Sequence, residues 1–327
     1  MTTKRSLLSL LGICLLILTT ACANTKTAPQ DKKIRLAYNL WIGSAGVFVA
    51  DAKDMFEEQG VKVELKQFAG PTEAVQALLS GEVDAALTTL DTAVMLKGAE
   101  NKADPLKLID ATDLSNGADG IVADPSIDTL TDLKGKTVAA TVGAVNHFLL
   151  LNALESVGLS ESDIKLTNMS PDTIGSAFLA KRVDAAVIWE PFLSEAKAGG
   201  GKLLFSSADV PELIIDGMVT TQRMIDEYPE ELRKIVDAIE SGTNYFHEYP
   251  DKGAEIAAKA MDTLVEQVAA MAQGVKLLTR AEAKEILVTN VERTKQTIRE
   301  FSEFFVGLKL VDASINPDEL IDPVLFE

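Results

Sequence analysis

Ala77-Leu-Leu-Ser-Gly-Glu-Val-Asp-Ala-Ala86 and Ala177-Phe-Leu-Ala-Lys-Arg-Val-Asp-Ala-Ala186 lie 100 residues apart, with Ala, Leu, Val, Asp, Ala and Ala coinciding. The flanks repeat too. Upstream of the first copy, residues 34–41 read as a strand, followed by a Gly/Ser loop over 43–46 and a helix over 47–59 stopped by Gly60. Val61-Lys-Val-Glu-Leu-Lys-Gln67 alternates as a half-buried strand does. Thr72 is then expected to cap a helix through Leu79 that ends at Gly81, and residues 83–87 form a short buried strand. The second copy has a strand over 136–141, a loop over 142–146 and a helix over 147–157 ended by Gly158. A strand over 163–168, a helix to Ala180 and a strand over 183–188 complete it.

Strands alternating with helices imply a mostly parallel sheet with helices on both faces. Two copies therefore predict two α/β lobes. The expected divisions are 34–120 with 218–327 for the first lobe and 121–217 for the second, joined by two hinge crossings. From about Gln222 the pattern is helical to the end, and these helices are expected against the first lobe. Ligands of open α/β sheets sit beyond the carboxyl ends of the strands. That selects the loops at 41–46, 88–91, 142–147 and 189–191, which converge on one cleft if the lobes face each other.

Lys4, Arg5 and the apolar run 7–18 look like a secretory signal, too short to span a bilayer comfortably. Leu18-Thr-Thr-Ala-Cys22 resembles a bacterial lipobox, although Thr19 stands where that motif prefers an aliphatic residue. The expected order is a lipoprotein signal peptide over 1–21, then a lipidated Cys22 with a flexible tether over 22–33. The protein is thus expected to be lipid-anchored on the extracytoplasmic side of a bacterial membrane, as a monomer. Cys14 and Cys22 are the only cysteines, so the expected mature domain has no disulfide and no thiol chemistry. Net charge is −18, and loss of residues 1–21 takes it to −20. Nucleic acid, which needs clustered cations, is excluded as a partner. The same acidity mildly favours a neutral or cationic ligand, or simply keeps an exported protein soluble.

Four stretches carry a family resemblance: Gly81-Glu-Val-Asp-Ala-Ala86, Leu130-Thr-Asp-Leu-Lys-Gly-Lys136, Leu154-Glu-Ser-Val-Gly-Leu159 and Val183-Asp-Ala-Ala-Val-Ile-Trp-Glu-Pro191. With them the chain resembles the solute-binding proteins for sulfonates, taurine, nitrate and pyrimidine precursors. Asp113-Leu-Ser-Asn-Gly-Ala-Asp119 and His147-Phe-Leu-Leu-Leu-Asn-Ala-Leu-Glu155 are similar to the branch found with urea carboxylase systems and linked to urea or guanidine uptake. The resemblance implies a two-lobed periplasmic-binding fold of type II, a small-molecule ligand, an ABC permease as partner, no cofactor and no catalysis.

The candidate ligand-binding residues are Trp41, Thr89, Asp91, Asp113, Ser115, Asp119, His147, Trp189 and Glu190. Acids without an arginine or lysine at the loop tips suit a guanidinium or ammonium better than a sulfonate. An indole face above a planar cation adds roughly 0.5–2 kcal/mol. Each residue also has a plainer reading. Trp41 and Trp189 serve equally as cleft-edge packing, Asp91 as a helix cap, and Asp113 and Ser115 as turn residues. Asp119 and Glu190 read equally as latch groups pairing with Lys or Arg, and His147 as a helix-start polar group. Asp84 and Asp184, equivalent in the repeat, are assigned to structure. With two histidines in the chain, no zinc centre is expected. The alternatives are a sulfonate, taurine or nitrate receptor of the same fold and, in another class, an enzyme like a pyrimidine-precursor synthase. No nucleophile–base motif supports the enzyme, and Gly199-Gly-Gly201 lacks the Gly-Lys-Ser/Thr ending of a phosphate loop.

Overall fold

A computed structural model describes residues 32–98, 100 and 102–326; the expected signal, Cys22 and most of the tether lie outside the described residues. Eleven strands are described. In chain order they are β1 (Lys33–Tyr38), β2 (Lys62–Gln67), β3 (Ala85–Thr89), β4 (Leu106–Ser115), β5 (Asp119–Ala123), β6 (Thr137–Ala140), β7 (Lys165–Asn168), β8 (Ala185–Trp189), β9 (Lys202–Ser206), β10 (Ile215–Thr221) and β11 (Val275–Leu277). They form two sheets, ordered β11-β4-β10-β3-β1-β2 and β7-β6-β8-β5-β9. The order β2-β1-β3-β10-β4 in one matches β7-β6-β8-β5-β9 in the other, so the sequence repeat is a repeat of structure.

The two aspartates of the repeat show why it persists. The Asp84 N–H donates to the Arg35 carbonyl at 2.8 Å, and its Oδ2 accepts the Arg35 N–H at 2.9 Å. Asp184 does the same to Thr137, at 2.9 and 2.7 Å. Each side chain satisfies a backbone donor of the middle strand of its parallel trio, β1 or β6, at a partly buried position. Around Asp84 the Arg35 guanidinium and the Lys32 ammonium outweigh the cost of burial and hold the carboxyl at about 2.

Most strands of each sheet run in one direction, as expected, with β10 and β11 reversed in one sheet and β5 in the other. β2-β1-β3 and β7-β6-β8 pair parallel, while β10 pairs antiparallel with both β3 and β4, and β5 with both β8 and β9, so β4 and β9 run in the same sense as the trios. Each parallel trio comes from strand–helix–strand units, which need a crossover. β5 and β10 arrive from the other sheet, through residues 116–118 and 207–214, and are free to enter in the opposite sense.

Three expectations shift. The helix expected over 47–59 is split into Ala45–Ala52 and Met55–Glu58 by Asp54, which is left-handed at φ 57°. Thr72 is not a cap: the helix Pro71–Leu79 starts with proline in its first turn and Gly70 before it. Asp113 and Ser115 are strand and not turn residues, because pairing with β10 and β11 extends β4 to Ser115. Tertiary pairing overrides the turn propensity of its Asp, Ser and Thr.

The long helix Pro229–Glu248 packs against Ala45–Ala52, with Gly46 and Gly242 at the crossing. Helix Val291–Gly307 packs against Leu90–Lys97, the helix that follows β3. β11 interrupts the helical C-terminal part as an edge strand on β4. Among the described residues no helix is long and apolar enough to cross a membrane.

Candidate ligand-binding site

The site forms where the first sheet meets the two crossings. Trp41 follows β1 and opens a short turn over Ile42–Ser44. Its indole Nε1–H donates to Asp113 Oδ1 at 3.1 Å, and the Thr112 hydroxyl donates to Asp113 Oδ2 at 3.1 Å. A methyl at Gly43 would collide with the Asp113 carboxylate and the Trp41 indole nitrogen, so glycine is what lets the turn pass over the acid. Asp113 is 1% exposed. Burial pushes its carboxyl up to about 6, against the pull of Trp41 and Thr112.

Directly opposite Asp113 on β10 stands Asp216. Past that pair the register slips, Gly217 facing Ala111, which leaves Thr112 as the extra residue of a bulge. Bulges re-aim side chains, and here one sets two carboxylates side by side. Asp216 is raised well above the ordinary aspartate range by burial first, then by the charges of Asp113, Asp119 and Asp91. Its buried Oδ1 has no hydrogen-bond partner.

Asp119 opens β5 and is 4% exposed. Its Oδ2 accepts from the Ser115 hydroxyl at 2.6 Å, and Ser115 Oγ is 2.8 Å from Ser207 Oγ. Ser207 Oγ in turn accepts the Gly117 N–H at 2.7 Å. Since Ser115 gives its proton to Asp119, the proton between the serines comes from Ser207. A single relay, Gly117 to Ser207 to Ser115 to Asp119, thus ties the two crossings together. Burial pushes Asp119 up to about 7; Ser115 opposes the rise, and the charges of Asp91, Asp113 and Glu190 add to it.

Asp91 lies in the first turn of Leu90–Lys97. Burial takes it to about 6 against the Thr89 hydroxyl and the N–H groups of Thr92, Asp91 and Val145. Val145 begins the helix after β6, so this acid of the first sheet addresses a helix start of the second. Asp91 Oδ1 is also buried without a partner. Thr89 is partly buried, its hydroxyl 2.9 Å from that of Thr92.

Of the sequence candidates, the structure gathers Trp41, Thr89, Asp91, Asp113, Ser115 and Asp119 around one acidic centre. Trp189 ends β8 opposite Asp119 and is partly exposed. Glu190 is not a latch to a Lys or Arg. Its carboxylate accepts the Ser194 N–H at 3.0 Å and the Ser194 hydroxyl at 2.8 Å, capping Phe192–Ala198. His147 is turned to a structural task. Its Nδ1 accepts the Gly143 N–H at 3.3 Å, which leaves Nε2–H to donate to Glu161 at 2.9 Å, and its ring lies 5.2 Å from Phe304.

Two residues were missed. Ser207 gives no signal in the sequence. Asp216 gives one, a lone acid inside the apolar run Leu213-Ile-Ile-Asp-Gly-Met-Val219, where a buried charge is costly unless it has a purpose. Among the described residues no group of three or more His, Cys, Asp or Glu is spaced to hold a metal ion.

Residues 41–253 match the family model described as NMT1/THI5 like. The chain belongs to that family. A putative binding protein of Brucella abortus is 26% identical over 255 residues, covering 76% of this chain and 78% of its own length. A putative aliphatic sulfonates-binding protein of Escherichia coli is 30% identical over 200 residues, 60% of this chain and 61% of its own. Among solved structures, the periplasmic aliphatic sulphonate binding protein from Escherichia coli superposes with a TM-score of 0.76 at 21% identity, over 90% of this chain and 92% of that one. The fold of this NMT1/THI5-like chain is therefore that of the periplasmic binding proteins.

Proposed function

We propose that the protein is an extracytoplasmic receptor of an ABC importer that captures a small nitrogenous solute, cationic or like urea or guanidine, and delivers it to the permease. One observation carries the ligand class. Asp91, Asp113, Asp119 and Asp216 crowd one another, and what acts on them most strongly is burial, nearby hydroxyl, indole and N–H donors, and their mutual repulsion. Two of their oxygens are buried and unpartnered. Such a cluster is costly empty and is relieved by a cation with several N–H groups. A sulfonate or nitrate in the same place would face four carboxylates. The ligand inferred for this site thus differs from the solute in the relatives' names.

The sheets act as the two lobes, and the crossings at 116–118 and 207–214 act as the hinge, a few residues before each of the expected boundaries 120/121 and 217/218. Closing brings Asp91 to the start of the second lobe's helix, and the closed shape is what the permease reads. The role is binding, without turnover. Cys22 is the lipid attachment point, supported by the lipobox-like sequence before it.

A thermal-shift and calorimetry panel of guanidinium, urea, choline, taurine and nitrate tests the reading. Guanidinium is expected to raise the melting temperature and taurine and nitrate to leave it unchanged. Stabilisation by taurine or nitrate alone would overturn the ligand class, and product formation would overturn the receptor. Loss of palmitate incorporation in Cys22→Ser checks the anchor.

A further inference from the structure

We propose that an aromatic clasp, outside the acidic site, holds part of the ligand-free population closed and so sets the affinity. Helix Val291–Gly307 belongs to the first sheet's side, packed on Leu90–Lys97. Helix Val145–Ser156 belongs to the second, packed on β5, β6 and β8. They meet ring to ring. Phe148 lies 4.6 Å from Phe301 and 5.2 Å from Phe304, and His147 lies 5.2 Å from Phe304 at an interplanar angle of 67°. Phe301 and Phe305, which anchor the clasp in its own helix, are 1% and 0% exposed. Just beyond the helix, Leu310 touches the loop before the other: a methyl at Gly143 would collide with it, and Gly143 is left-handed at φ 83°.

This contact has the form a closure device needs. It joins elements on different sheets, it is made of apolar side chains, and it begins one turn from Val145, where Asp91 addresses the second lobe. Opening the cleft would pull Phe148 from Phe301 and Phe304 and expose all three. The cost of that exposure opposes opening with no ligand present. Apparent affinity scales with the fraction already competent, so weakening the clasp weakens binding without touching the site. The inference rests on the two sheets moving as lobes, and is independent of what the ligand is.

Small-angle scattering and hydrogen exchange on purified ligand-free protein test it, comparing the parent with Phe304→Ala and Leu310→Ala. Phe304 is half-buried and Leu310 is 49% exposed, so the second variant keeps the test open should the first fail to fold. Both are expected to enlarge the radius of gyration and to speed exchange in the first turns of Val145–Ser156, with Phe304→Leu partly restoring the parent. Guanidinium, as the probe, should bind about tenfold more weakly to Phe304→Ala. A folded variant with the parent's radius and exchange rates overturns the clasp. If guanidinium binds neither protein, the ligand class has failed, and the ligand-free measurements still decide.

Discussion

Asp113 and Asp216 face each other across antiparallel β4 and β10, at the residue pair beside which the ladder slips by one. Regular pairing would satisfy the backbone as well, so the slip serves the side chains. Like charges directly opposite on a sheet destabilise it, and here both are also withdrawn from water. The Trp41 N–H is a partial counterweight to both. It makes Trp41 a hydrogen-bond donor that positions carboxylates, a different task from the cation–π platform its sequence position suggests.

Asp216→Asn keeps the shape and removes one ionisable carboxyl group from the cluster. The ligand-free protein should become more stable at pH 7 by roughly 1–2 kcal/mol, as substitutions that relieve a strained site do. Guanidinium affinity should fall at least about thirtyfold, the lower end of the loss from breaking a buried charge pair. Urea unfolding and calorimetry read the two effects, and a loss of both stability and binding would count against a site held open for a cation.

The site also fixes a pH dependence. Asp91, Asp113 and Asp119 move from an ordinary 3.8 to about 6, 6 and 7 on folding, so between these values the folded chain holds more protons than the unfolded one. Ligand-free stability must therefore fall as pH rises from about 4 to 7. Asp110, pushed to about 7 by burial with Arg280 3.6 Å away, adds in the same sense. Asp84 and Glu282, held at about 2, act oppositely but only in acid. A bound cation favours the ionised carboxylates, so guanidinium should bind more tightly at pH 8 than at pH 5 and release protons. Calorimetry in two buffers of different ionisation enthalpy measures that release.

The repeat was legible because Val-Asp-Ala-Ala at 83–86 and 183–186 encodes a local device: an aspartate that closes a backbone donor, then a buried strand. Asp113 and Asp119 were legible as acids beside a crossing. What could not be read was long-range. Asp216 is about a hundred residues from Asp113, and only the antiparallel entry of β10 brings them together. Ser207 acts from the second crossing on the first. His147 and Glu190 bond to Glu161 and Ser194, which the sequence does not show, because a polar residue after a strand has the same local sequence whether it serves a ligand or a helix start.

Ser207→Ala tests the relay. It removes the acceptor of the Gly117 N–H, at a partly buried position, and the donor to the buried Ser115 hydroxyl, which keeps only its bond to Asp119. The cost should be about 1–3 kcal/mol of stability. Because Ser115 remains to donate to Asp119, guanidinium affinity should change less than in Ser115→Ala. Equal losses in the two variants would mean that Asp119 depends on Ser207 as much as on Ser115.

Gly242→Ala probes the scaffold apart from the site. A methyl there would meet the Gly46 carbonyl oxygen and come within 3.0 Å of the Ala50 nitrogen. These are backbone atoms of the helix that follows Trp41 and Gly43, so Pro229–Glu248 would have to move away. Overpacking of this kind costs about 1–3 kcal/mol, and the shift should reach the turn that carries Trp41. The expected result is a lower midpoint in urea together with altered tryptophan fluorescence. A variant that loses stability with its fluorescence unchanged would show that the Trp41 turn is held by its bond to Asp113 and not by the helix beneath it.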